Sequence, residues 1–221
     1  MNSFEDYRVL FRNMYVAVKE GHEKSPMKHR GHGMDHDVTV AQIATLIAPD
    51  DRAKKLGWVA GMLHSTDRVV PADQLTVALT SYLHALPEGY FTNEEKQKIV
   101  EAVLRHSELN QDNQSDVQQL LMDADRLANL TVALFIRGGQ FRPDIPAFEF
   151  TYLNGTQNPA STYKYPKSVL DNIRADLEEY LPQLRLPAAK ELGTTYAERL
   201  SQIIAWIEKD YHDLSLAGLQ L

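Results

Sequence analysis

With 221 residues, 43% of them hydrophobic and 24% charged, the chain has the composition of an ordinary folded globule with material for a sizeable core. A formal net charge of -7 argues against a nucleic-acid surface, because counterion release requires clustered Lys and Arg. The absence of cysteine excludes disulfides, thiolate metal sites and cysteine nucleophiles. The start MNSFEDYRVLFRN lacks the basic segment and apolar run of a secretory signal, and no apolar stretch approaches the roughly 18 residues of a membrane span, so a cytoplasmic protein without a membrane partner is expected.

Nearly every long segment has a helical period. Phe4, Tyr7, Phe11, Met14 and Val18 recur at three- and four-residue spacing and predict a first amphipathic helix ending near Gly21. A polar loop, GHEKSPMKHRGHGMD, follows; its His22, His29 and His32 are expected to be solvated, with lining of a pocket as the alternative. Asp35 fits the N-cap of a helix that carries His36, Val40, Ile43, Ala44 and Ile47 on one face. After Pro49-Asp50-Asp51 a helix through Leu56, Ala60, Leu63 and His64 runs toward Pro71 and places Asp67 on the face of His64, three residues on. Leu75, Leu79, Leu83 and Leu86 mark the next helix, leaving His84 structural or exposed. Thr92-x-x-Glu95 is a capping box before Ile99, Ala102, Val103 and His106, and Ser115-x-x-Gln118 opens a further helix in the same way. There Leu121, Asp125 and Ala128 share a face, which turns Asp125 inward and Asp123 elsewhere.

The periodicity collapses between Arg137 and Pro166, where Pro143, Pro146, Pro159 and Pro166 punctuate the chain. Long irregular segments of this kind are often lids, although the alternation Phe148, Phe150, Tyr152 could form a short strand. Two helices close the chain, one through Val169, Ile173, Leu177 and Leu181 and the other through Tyr196, Leu200, Ile203, Ile207 and Tyr211, with Pro187 and Gly193 as punctuation between them. The expected architecture is one all-α helical domain spanning 1–221, with a motif region at 29–131, a lid-like loop at 137–166 and C-terminal helices at 167–213.

His36, His64, His106 and Asp125 all fall on apolar helical stripes. A lone histidine in such a place is usually a core residue bonded to a backbone carbonyl. Several together with a carboxylate form a donor set suited to a hard or borderline metal ion.

The order His36, then His64-Ser65-Thr66-Asp67-Arg68, then His106, then Asp123-Ala124-Asp125-Arg126-Leu127 resembles the HD superfamily of metal-dependent phosphohydrolases. MDHDVTVAQIATLIA is similar to the family's first segment, VAGMLHSTDR to its second and LLMDADRLANL to its third. The resemblance implies a helical bundle in which His36, His64 and Asp125 hold one divalent ion (Mn, Fe, Co, Mg or Ni), and it implies hydrolysis of a small phosphorylated substrate, with a nucleotide as the candidate. In one respect the chain departs from the family: the carboxylate that follows the second histidine is Ser65. Asp67 or water then takes the vacant ligand position, or the metal is lost and a degenerate, non-catalytic protein binds a nucleotide or phosphate. The resemblance assigns Arg68 to phosphate and His106 to acid–base chemistry or, with His84, to a second ion. Arg142, Lys164 and Lys167 are the substrate-binding candidates of the loop.

Overall fold

The computed structural model describes residues 3–27, 31–153 and 156–216. Among them the fold is all-α, with no strand, and the chain divides into two compact units, 1–128 and 129–221. The first holds α1 (Phe4–Leu10), α2 (Arg12–Lys24), α3 (Met34–Ile47), α4 (Asp51–Leu63), α5 (Leu75–His84), α6 (Asn93–Arg105) and α7 (Asp116–Ala128). The second holds α8 (Leu134–Phe141), α9 (Val169–Tyr180) and α10 (Pro187–Leu216).

In the first unit the expected opening helix is interrupted at Phe11, whose backbone leaves the helical region at φ -107°, ψ 32°. The hitch seats a fully buried ring among Tyr7, Trp58 and Phe91, with Phe11–Trp58 ring centroids 5.6 Å apart. Helix α2 then continues to Lys24, three residues beyond the Gly21 boundary that the sequence suggested. Capping chemistry accounts for the other starts. Asp50 accepts from the amides of Arg52 and Ala53, and Thr92 and Glu95 form both halves of the capping box. The second box is half made: Ser115 accepts from the Gln118 amide, while the Gln118 side chain donates to the Arg105 carbonyl instead.

Helix α3 packs on α4 and α7, and α4 also touches α6. Small residues make the contacts of α4 with α3 and with α7 close. A Cβ on Gly61 would lie 2.6 Å from both Cα and N of Ala41, and one on Gly57 would lie 2.7 Å from Leu120 Cδ2. The first obstacle is backbone and cannot rotate away.

The second unit gathers Leu130, Leu134, Leu153, Val169, Leu170, Ile173, Leu200 and Ile204 into its own core. The irregular segment is tied to the start of α9, where the amides of Val169 and Leu170 donate to Pro146 and Ala147 carbonyls at 2.9 and 3.0 Å. The alternation at 148–152 forms no strand. Phe150–Tyr152 is a single 3-10 turn, and Phe148 and Phe150 pack their rings against Tyr211 at 4.6 and 5.6 Å. Nor does Gly193 punctuate: α10 runs through it for 30 residues from Pro187. Pro is well placed in a first turn, where its missing N–H is not needed, and an interior Gly costs only about 1 kcal/mol.

Gly61→Ala is expected to force α3 away from α4 and to lower unfolding stability by about 1–3 kcal/mol, the usual range for overpacking a closed contact. Denaturant titration followed by circular dichroism measures it; an unchanged midpoint would mean that the two helices part without cost.

Candidate metal centre

His36 enters the site from the first turn of α3. The cap is Gly33, in extended backbone, and not the expected Asp35, which lies exposed inside the first turn; the His36 amide donates to the Gly33 carbonyl at 2.9 Å. His64 enters from the opposite direction, at the C-terminal end of α4. Because a carbonyl can only accept, the 2.9 Å contact between His64 Nδ1 and the Gly61 carbonyl puts a proton on Nδ1 and turns Nε2 toward the site. Both imidazoles are buried, His36 at 1% and His64 at 2% exposure.

Asp125, on α7, completes the group. Its Oδ1 lies 3.2 Å from His36 Nε2 and 3.7 Å from His64 Nε2, and the ligating atoms of the three residues lie within 4.8 Å of one another. Two buried imidazoles and a carboxylate converging in this way could hold a metal ion. The Asp125 side chain keeps 23% exposure, so the group opens to solvent on that side. Asp123, expected to look elsewhere, is wholly buried, 3.6 Å from Arg126 Nη1, which itself donates to Asn110 at 2.9 Å.

The chain tightens past Leu63 into a 3-10 turn over His64–Arg68. This turn buries Ser65 and Thr66, with the Ser65 hydroxyl 3.1 Å from His64 Nε2 and Thr66 donating to the Leu63 carbonyl at 2.6 Å. Asp67 does not join the group of three among the described residues. The α-helical phase expected for it ends before it is reached, and its carboxylate lies a third exposed, 3.4 Å from Arg68. Arg68 is exposed beside it. His106 caps α6 and donates from Nδ1 to the Val103 carbonyl at 2.7 Å, its ring 5.6 Å from that of His64. His84 is exposed on α5 and belongs to no group of three possible ligands among the described residues. Arg142, Lys164 and Lys167 belong to the second unit, where Arg142 pairs with Asp144 at 3.3 Å and both lysines are exposed.

Two residues outside the sequence expectation stand behind His64. Asp37 is completely buried; its Oδ2 is 2.7 Å from His22 Nε2 and its Oδ1 is 3.1 Å from His64 Nδ1. His22 is not solvated, because it lies on α2 with its side chain 7% exposed. The signals were present as spacing. His22 extends the row Met14–Val18 by four residues, and Asp37 stands three before Val40 and four before Ala41. His32 packs its ring edge-on to His36 at 5.3 Å, and His29 lies outside the described residues.

The site's field favours a cation. Burial by itself would lower the His64 pKa, but the close carboxylate of Asp37, with the charge of Asp125, pushes it up to about 9. Burial would raise the carboxylates, yet His22 and His64 hold Asp37 at about 2, and His36, with the nearby charge of His64, keeps Asp125 well below the usual carboxylate range.

Neither the protein-family models nor the curated proteins include a match to this chain. Solved structures do. A Lactobacillus plantarum protein solved by a structural-genomics programme aligns at 16% identity with a TM-score of 0.65, over 96% of this chain and all of that one. Bacillus subtilis YpgQ in complex with ADP aligns at 15% identity with a TM-score of 0.61, over 90% of this chain and 97% of its own. The fold is therefore one that bacterial proteins of very different sequence share. No helix among the described residues is long and apolar enough to cross a membrane.

These shifts fix the pH response of the protein in buffer containing a chelator and no metal. A raised histidine stabilises fully below its unfolded value of 6.5 and loses that contribution as pH rises through about 9. A depressed carboxylate stabilises above its unfolded value of 3.8 and loses it as pH falls toward about 2. The melting temperature is thus expected to fall between pH 6.5 and 9, and Asp37→Asn to flatten that decline. Calorimetry across this window decides the matter: equal slopes in the two proteins would remove Asp37 as the cause.

Proposed function

We propose that this chain is a metal-dependent phosphohydrolase of the HD superfamily type, acting on a small phosphorylated molecule for which a nucleotide is the leading candidate. One observation carries the proposal: the ligating atoms of His36, His64 and Asp125 lie within 4.8 Å of one another, two of the residues being buried. The donor set of nitrogen and oxygen suits a borderline or hard divalent ion. The occurrence of ADP in the YpgQ crystal structure, a protein of the same fold, supports a nucleoside phosphate as the ligand class.

The residues divide the work by position. His36 and His64 direct ring nitrogens into the site while the Gly61 carbonyl keeps the His64 ring from turning. Asp125 adds the negative charge on the side that solvent and substrate share. A divalent ion held there would acidify a bound water and polarise a phosphoryl oxygen. His106, anchored through Nδ1, has Nε2 available to give or take a proton near Asp125. Arg68, exposed at the end of the 3-10 turn, can swing from Asp67 to a phosphate at small cost, since an exposed ion pair stabilises little. We assign Arg142, Lys164 and Lys167 to the substrate as candidates on charge alone.

Ser65 favours a second reading. A neutral hydroxyl 3.1 Å from His64 Nε2 supplies no charge to an ion, and a protein that binds a phosphorylated ligand without hydrolysing it is consistent with that substitution.

Loaded with Mn, Fe, Co, Mg or Ni and offered a panel of nucleotides and generic phosphomonoesters, the protein is expected to turn over at least one of them. His64→Ala and Asp125→Ala should abolish both turnover and stoichiometric metal. Absence of any turnover sensitive to His64→Ala refutes the enzyme. If in addition no ion is taken up while ADP raises the melting temperature, the binding protein is correct, because a ligand that binds only the native state stabilises it.

A further inference from the structure

The proposed metal centre is short of one charge: two imidazoles and Asp125 face the ion, and Ser65, next to His64, carries none. Yet a second carboxylate lies in the same core. Asp37 follows His36 directly on α3 and turns away from the site mouth, into the interface of α2, α3 and α4. It has no exposure to water. A carboxylate so buried is retained only if cationic or donor groups surround it, and here both are imidazoles. Its Oδ2 is held by His22 Nε2 at 2.7 Å. Its Oδ1 makes no in-line hydrogen bond of its own and lies 3.1 Å from His64 Nδ1, whose proton is aimed at the Gly61 carbonyl.

We infer that Asp37 is the positioning residue of this centre, an outer carboxylate that supplies through His64 the negative charge missing at Ser65, with His22 holding it in place. The inference rests on His64 being a metal ligand through Nε2. The Gly61 carbonyl orients the ring, and a carboxylate 3.1 Å from the far nitrogen of a ligating imidazole raises its basicity; the loss of such an outer partner lowers metal affinity by about 10–100-fold. Counting charges, a divalent ion among two neutral imidazoles, Asp125 and Asp37 is neutral overall, whereas the same ion without Asp37 leaves a net positive charge in a buried site. His22 does not touch the ion. It satisfies the oxygen of Asp37 that points away from His64, and so prevents the carboxylate from rotating out of reach.

If the role of Asp37 is its charge, the charge can be moved. Mn(II) binding to full-length protein, measured by titration calorimetry, is expected to weaken about 10–100-fold in Asp37→Asn. Adding Ser65→Asp to that variant should recover most of the loss, which a purely structural role for Asp37 would not allow. His22→Gln, whose amide can still donate to Asp37, is expected to bind Mn(II) nearly as the wild type does. Should Asp37→Asn fail to fold, the wild type still decides: in Zn(II)-loaded protein, nitrogen-detected NMR should show His64 with its proton retained on Nδ1 and the metal shift on Nε2. A metal shift on Nδ1 overturns the inference, as does Asp37→Asn binding Mn(II) with wild-type affinity, or a double variant that recovers nothing. A wild type that takes up no Mn(II) or Zn(II) at all overturns the metal reading beneath it as well.

Discussion

The centre depends on how near two helices come. His36 stands in the first turn of α3 and His64 caps the C-terminal end of α4, so the two imidazoles can meet only if those helices run against each other at almost backbone distance. Gly61 permits this: where any Cβ would stand 2.6 Å from the backbone of Ala41, hydrogen alone fits. The same residue lends its carbonyl to His64 Nδ1. One position thus sets both the distance between the imidazoles and the direction in which one of them points. Packing of this kind is rigid, since the obstacle is main chain on both sides.

Charge adds a second constraint. Asp37, which water does not reach, and Asp125, on the side open to solvent, stand on opposite sides of His64. Left without an ion, the pair draws a proton onto the imidazole and holds it far into the alkaline range. A proton and a divalent ion therefore compete for the same field. The imidazoles already stabilise both carboxylates, and the same field would favour a divalent ion in place of the proton.

Much of this was legible from residue spacing, and the remainder failed for identifiable reasons. His36, His64 and Asp125 were visible because polar residues on apolar helical stripes stand out against the period, and all three converge. Thr92-x-x-Glu95 was visible because a capping box is a local interaction with a local signature. Asp67 was misjudged because its place depended on the α-helix continuing past Leu63, and the chain tightens there into a 3-10 turn. Asp37 was not singled out and His22 was expected to be solvated, although both lie on helical rows. Asp37 follows His36 with no local signal of its own, and His22 lies beyond the expected helix boundary at Gly21, which falls three residues short of the end of α2. Their partnership is tertiary, joining residues fifteen apart on different helices, and no local pattern encodes it. Gly193 misled in the opposite sense, since the small local cost of an interior Gly does not stop α10.

The solved proteins of similar fold share only 15–16% of their residues with this chain, so what holds the fold is pattern more than identity: apolar rows, caps and a few close contacts. Fold of this kind does not fix chemistry. Chemistry turns on single positions, and Ser65 and Asp37 pull in opposite directions. Ser65 weakens the centre by presenting a hydroxyl where an ion would gain from charge. Asp37 strengthens it from behind, through an imidazole, at a position that water does not reach and that the substrate side does not see. A charge placed behind a ligand would stabilise an ion without occupying a coordination position, which would leave the solvent-exposed face at Asp125 open. The pairing of a neutral neighbour with a buried outer carboxylate is therefore coherent as a metal centre, and it gives the substitution at Ser65 a physical counterpart within the same core.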